Sequence, residues 1–214
     1  DDLPGFAEAL DMRGRPVQQM RRQNPHMHLL EACLFAHEVW GDEVYEGMAD
    51  ELVGLFAVYF FNPREQTLTE FFSDALHPHF EQGHKLEPGH YFEWIWLLKK
   101  HAAMKGNPSL HDSTCAILLD WANQYGWDAT YGGIYDTLGP DGAVIADTKR
   151  IWPFCEALKA NALMLDSASD RQAIKDRTRE MVNVFEEKYM QQRGFWTEWL
   201  SRDLLPQTDY MPGT

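Results

Sequence analysis

An all-α fold of paired helices is what this sequence predicts, and three observations predict it. Amphipathic stretches follow one another in pairs, with short Gly- or Pro-bearing turns between them. Strand-like patterns occur only in the long segments that separate the pairs. Glu31, Glu93 and Glu156 each follow a Pro-bearing helix start and lead into an apolar run, and they stand 62 and 63 positions apart. A fixed spacing of this kind marks a repeat architecture, and antiparallel helix pairs in series suggest an α-solenoid or a toroid of helical hairpins. The 214 residues are enough for one domain with a sizeable core. The expectation is a single domain over 1–214, with 1–23 as an irregular, Pro- and Gly-punctuated lead-in.

The elements follow in order. Asn24 reads as an N-cap and Pro25 as a first helical residue, opening a helix that Gly41 ends. Val44, Met48, Leu52, Leu55 and Phe56 predict a second helix over 42–61, stopped by Asn62-Pro63. The stretch 64–87 reads as loop, with short strands around 68–72. Pro88 opens a third helix, broken at Gly106-Asn107-Pro108, and Ser109 is expected to cap a fourth that reaches Tyr125. Residues 132–148 read as a β-hairpin turning at Pro140-Asp141-Gly142. Pro153 opens a fifth helix, Ser169 caps a sixth, and 194–204 reads as another short strand pair.

The chemistry is expected at helix starts. In PGHYFEWIWLLKK, Pro88–Lys100, His90 and Glu93 stand three apart and share one face of the first turn. A carboxylate that orients an imidazole and raises its basicity is a general-base arrangement. A solvated surface pair is the ordinary alternative for such a spacing. If the first helix of each pair lines a ring, then Asn24, His28, His90, Glu93, Trp152 and Glu156 gather at one mouth, where loops on a rigid scaffold carry binding residues.

Composition narrows the partners. A formal net charge of −14 argues against nucleic acid and anionic membranes, and no apolar run is long enough to span a bilayer. Cys33, Cys115 and Cys155 lie far apart, without metal-ligand spacing, which suggests a reducing, cytoplasmic setting. No HExxH is present, and among His26, His28, His77, His79, His84 and His90 the pairs at spacing two do not share a helix face, so no metal is expected. The chain opens on DDLPGF without Met, so a preceding portion is expected to be missing.

NPHMHLLEA, EPGHYFEW and RIWPFCEA, in this order and at these distances, resemble the N-acylglucosamine 2-epimerase superfamily, from about Arg21 onward. The resemblance implies an (α/α)6 barrel of twelve helices, of which this chain supplies six, about half. It implies a catalytic role for His90 with Glu93 as its acidic partner. It implies sugar contacts for Asn24 and His28, with the acidic Glu31 beside them, and for Trp152 on the sugar ring, with Glu156 one turn on. Aldose isomerisation or epimerisation at C2 needs neither cofactor nor metal. The family's second catalytic His, expected soon after a segment like MPGT, would fall beyond Thr214, and the first helices with their substrate-binding Arg are absent. The 214-residue chain alone is therefore expected to be inactive, and to form a homodimer that covers the faces of half a ring. The alternatives are a glycoside hydrolase or lyase using paired carboxylates such as Glu31 and Glu93, and a helical-repeat binding module without chemistry.

Overall fold

A computed structural model describes residues 4–168, 170–190 and 194–207. The chain forms two compact units: Asp1–Leu86 with Leu97–His111, and Glu87–Trp96 with Asp112–Thr214. Among the described residues there are six α-helices, and the strands are two or three residues long.

In the first unit, α1 (Gln23–Trp40) packs on α2 (Glu43–Leu55). His26 meets Phe60 at one end and Trp40 meets Tyr45 at the other, so the two helices run antiparallel. Met27, Leu30 and Leu34 recur at helical spacing and are buried, as are Ala49, Leu52 and Phe56. Burying an aliphatic side chain of this size contributes roughly 1.5–3 kcal/mol. Gly41 ends α1 at φ 66°, a conformation glycine adopts without a Cβ penalty, and the Asp42 side chain caps α2 by accepting from Val44 N–H at 2.9 Å. A π-turn, Phe56–Phe60, carries α2 into β2 (Phe61–Asn62), which pairs with β3 (Thr67–Leu68). Next, β4 (Phe71–Phe72) returns to pair with β1 (Arg21–Arg22), just before α1. The late part of α3 (Pro88–Met104) belongs to this unit, tied down by ion pairs of Lys100 with Glu38 and of Lys105 with Glu46 and Asp50. His101 is bonded to Asp50 at 2.8 Å and to His111 at 3.0 Å.

In the second unit, the first turns of α3 pack on α4 (Asp112–Tyr125). Tyr91 stacks on Trp121 with ring centroids 4.2 Å apart, and Cys115 lies 3.8 Å from the Ile95 carbonyl. Contacts that advance along α3 retreat along α4, so this pair is antiparallel too. Then α5 (Ile151–Met164) and α6 (Arg171–Val184) repeat the pattern, with Phe154 against Phe185 and Tyr189, and Asn161 against Met181. A π-turn, Phe185–Tyr189, follows α6 as another follows α2.

The segments between helix pairs repeat as well. Four small hairpins close with N–H to O=C bonds from Asp11 to Arg15, Ser73 to His77, Gly139 to Ala143 and Ser201 to Leu205, at 2.7–2.8 Å. Each has a left-handed residue at its third turn position: Gly14, Leu76, Gly142 and Leu204. Leu76 and Leu204 carry the Cβ strain there while burying their side chains. In the second unit, β5 (Thr137–Leu138) pairs with β6 (Val144–Ala146), and β7 (Lys149–Arg150) pairs with β8 (Trp199–Leu200), matching β1 with β4 in the first. Lys149 holds the second unit's loops from inside. Its fully buried ammonium donates to Asp128 at 2.9 Å and to the carbonyls of Gly132 and Arg202, each at 2.6 Å. Burial opposes the charge on Asp128, but Lys149 and the N–H groups of Thr130 and Tyr131 outweigh it and hold the carboxyl down at about 2. Burial pushes the Lys149 ammonium the other way from its usual stability, downward.

Three helix starts differ from expectation. α1 begins at Gln23, one residue before Asn24, because Gln23 is held by Glu70: N–H to the Glu70 carbonyl at 3.1 Å and Nε2 to its carboxylate at 2.8 Å. α5 begins at Ile151, two residues before Pro153, with its N–H on the Glu198 carbonyl at 3.1 Å. In both, a backbone carbonyl just before a strand, β4 or β8, supplies the partner that a capping side chain would. Ser109 does not cap α4, because Asn107–His111 closes as a turn and α4 starts at Asp112. Ser169 lies outside the described residues; the cap of α6 is Asp170, which accepts from Ala173 N–H at 2.9 Å. The strand expected in 194–204 is present, but its partner is β7.

Candidate active site

His90 sits in the first turn of α3, which Pro88 opens. The residue is 5 % exposed, and Glu93, on the same helix, is 6 % exposed. Glu87, just before the helix, brings a carboxylate oxygen to 3.9 Å from His90 Nδ1. Against the imidazole lies the indole of Trp152, with ring centroids 5.1 Å apart and planes tilted by 36°. Gly89 makes this approach feasible, because a Cβ there would stand 2.5 Å from Trp152 Cη2. Trp152 is itself placed by β7, which ends in Arg150 and delivers the chain into α5.

Arg150 also contacts the indole. Its guanidinium is 5.3 Å from the Trp152 ring centre and 5.1 Å from that of Trp199. Nε donates to Asp136 at 2.6 Å, and Nη2 reaches Glu87 at 3.4 Å. Asp136 also accepts from the Thr148 hydroxyl at 2.5 Å. Burial pushes the Asp136 carboxyl up, against the pull of Arg150. One turn into α5, Glu156 is paired with Lys159 at 2.6 Å, and Lys159 lies over the Trp96 ring.

The sequence-predicted residues fall into both units. His90, Glu93, Trp152 and Glu156 belong to the second, where the fold brings His90 and Trp152 into contact. Asn24, His28 and Glu31 belong to the first, on the opening turns of α1. There His28 Nδ1 lies 3.3 Å from the Glu31 carboxylate, one helical turn on. Glu87, Asp136, Arg150 and Trp199 were not singled out from the sequence. Arg150 stands in the RIWPFCEA motif and Glu87 immediately precedes Pro88, but only the pairing of β7 with β8 brings Trp199 to Arg150, and only the fold of the loop before β5 brings Asp136.

The family model described as N-acylglucosamine 2-epimerase (GlcNAc 2-epimerase) matches residues 3–214. The chain belongs to the N-acylglucosamine 2-epimerase family. Among curated relatives, it is 37 % identical over 161 residues to the mannose-6-phosphate isomerase of Rhizobium meliloti (strain 1021), covering 74 % of this chain and 40 % of that protein. It is 29 % identical over 178 residues to the D-mannose isomerase of Thermobifida fusca, covering 76 % and 43 %. The chain thus spans less than half the length of these relatives. Among solved structures, a D-mannose isomerase matches 95 % of this chain and 55 % of its own, with a TM-score of 0.82 at 22 % identity. The cellobiose 2-epimerase from Bacillus thermoamylovorans B4167 matches 94 % and 50 %, with a TM-score of 0.75 at 20 % identity. These likenesses show the fold class of this member of the N-acylglucosamine 2-epimerase family. It is all-α, of the (α/α)6 kind, represented here by six helices in three hairpins with short β-hairpins in the long loops.

Proposed function

We propose that this chain belongs to a sugar isomerase or epimerase that acts at C2 of an aldose, of the mannose-isomerising or N-acylglucosamine-epimerising type. The observation that carries the reading is His90: a nearly buried imidazole at a helix start, against an indole and beside a carboxylate. Membership of the family supports it, as do the names of the relatives, two of which are mannose isomerases or mannose-6-phosphate isomerases. In the proposed reaction the sugar ring opens and His90 removes the C2 proton as a general base. The electron pair moves into a C1–C2 enediolate. Returning the proton to C1 from the same face yields the ketose, whereas epimerisation delivers it to the opposite face of C2 and requires a second base. Glu93 holds the His90 ring, Trp152 packs on the sugar, and Glu156 is a further contact. Asn24, His28 and Glu31 are proposed sugar-contacting residues on the strength of the motif NPHMHLLEA. The reaction calls for no cofactor, and a homodimer is the proposed assembly. A cytoplasmic location accords with three cysteines that form no disulfide, Cys33, Cys115 and Cys155.

The test is proton NMR in D₂O with mannose, N-acetylmannosamine and cellobiose, carried out on the full-length protein. Deuterium is expected at C2 of one of these sugars. His90→Asn, which keeps size but removes the titrating base, is expected to slow exchange by at least about 10²-fold, the low end for loss of a general base. Sugar binding is expected to survive in that variant. Exchange at the unmodified rate would remove His90 from the chemistry, and new reducing ends without exchange would mark a hydrolase.

A further inference from the structure

Arg150 is held more tightly, and by more different means, than an interstrand residue requires. Its guanidinium lies over two indoles, those of Trp152 and Trp199. Nε is committed to Asp136 and Nη2 to Glu87. Cation–π contact with two indoles, together with two carboxylates on the fork, restrains the orientation of the group. Nη1 has no hydrogen-bond partner among the described residues, and the side chain keeps 24 % of its surface exposed. Two N–H donors are therefore pre-aimed, on an immobilised group, beside the ring of Trp152 that also faces His90. Two carboxylates around one guanidinium leave the cluster without surplus positive charge, so it suits a neutral oxygen over an anion.

We propose that Arg150 is a further substrate-binding residue, whose Nη1 donates to a hydroxyl or carbonyl oxygen of a neutral sugar lying against Trp152 and His90. This role rests on the sugar reading above and adds a donor that the motifs do not assign. A donor already fixed by neighbours loses little freedom on binding, which is why a preorganised fork contributes more than a free arginine would. Glu87 then serves two groups at once, keeping the guanidinium and the imidazole in one arrangement.

The experiment is isothermal titration of mannose into the full-length protein and into its Arg150→Met variant, with thermal unfolding of each. Loss of one hydrogen bond from a charged donor is expected to weaken binding by about 10- to 100-fold. Should Arg150→Met unfold, because it leaves Asp136 buried and unpaired, the double variant Arg150→Met/Asp136→Asn removes that orphan and is expected to show the same loss. Unchanged affinity in a folded Met variant overturns the role of Arg150 and leaves the sugar reading intact. Absence of mannose binding by the unmodified full-length protein overturns both.

Discussion

His26 shows how one side chain couples burial to protonation. Nδ1–H donates to the Arg22 carbonyl at 2.9 Å, and Nε2 accepts from Phe6 N–H at 2.9 Å, an arrangement that only the neutral ring satisfies. Phe6 and Phe60 pack around it. Burial holds its pKa below the usual 6.5; the Arg22 carbonyl and Glu8 pull it upward, and Arg21 adds to the lowering. The sign follows from linkage. Below the unfolded value, the unfolded chain takes up a proton that the folded chain refuses, so the stability tied to His26 is whole above 6.5 and declines as pH falls below it. Melting temperature is expected to drop between about pH 7.5 and pH 5.5, and to drop less in His26→Gln. An equal drop in the variant would assign the acid sensitivity to other groups. The lead-in is the segment released, since Phe6 N–H would then face an N–H of the charged ring.

At the scale of elements, the start of α3 depends on a missing side chain. Gly89 lets Trp152 and Pro153 approach the helix backbone, and a Cβ would meet them at 2.5 and 2.9 Å. Gly89→Ala improves helix propensity, yet the clash is the larger effect, because it falls on an indole that Arg150 and His90 also contact. The variant is expected to lose about 1–3 kcal/mol of stability, the usual cost of overpacking. Its tryptophan fluorescence should also shift as Trp152 is displaced. A variant as stable as its parent with an unshifted spectrum would show that Trp152 is free to move. The helices themselves follow from apolar spacing. Their first residues do not, because the N–H groups of Gln23 and Ile151 are accepted by the carbonyls of Glu70 and Glu198, far along the chain.

For the whole molecule, a net charge of −14 opposes association of two copies, while exposed apolar side chains favour it. In the first unit, Phe35, Val39, Trp40 and Val44 are all exposed near the turn from α1 to α2. Apolar surface of this kind marks interaction sites. Sedimentation is expected to show self-association that strengthens as added salt screens the charge, with a Debye length falling from ~10 Å at 0.1 M to ~3 Å at 1 M. Trp40→Ser should weaken it. A monomer at all salt concentrations would count against the homodimer. None of the described helices is long and apolar enough to cross a membrane.

The helices, their antiparallel pairing, the turn at Pro140-Asp141-Gly142 and the family were legible in the sequence. These depend on local periodicity, on turn residues and on motifs that lie within a few residues of one another, such as PGHYFE and RIWPFCEA. His90 was legible for that reason, as a polar residue at a helix start ahead of an apolar run. Only the tertiary structure decided what surrounds it. Trp152 reaches His90 across 62 positions, Arg150 joins Glu87 across 63, Trp199 enters from β8 by long-range pairing with β7, and Asp136 enters from the loop before β5. The same is true of Lys149, whose ammonium is fully buried because three acceptors from two loops, Asp128 and Gly132 in one and Arg202 in the other, converge on it. Periodicity reports which face of an element turns inward; it carries no information on which distant side chains meet there. That is settled by packing and by the need of each buried polar group for a partner.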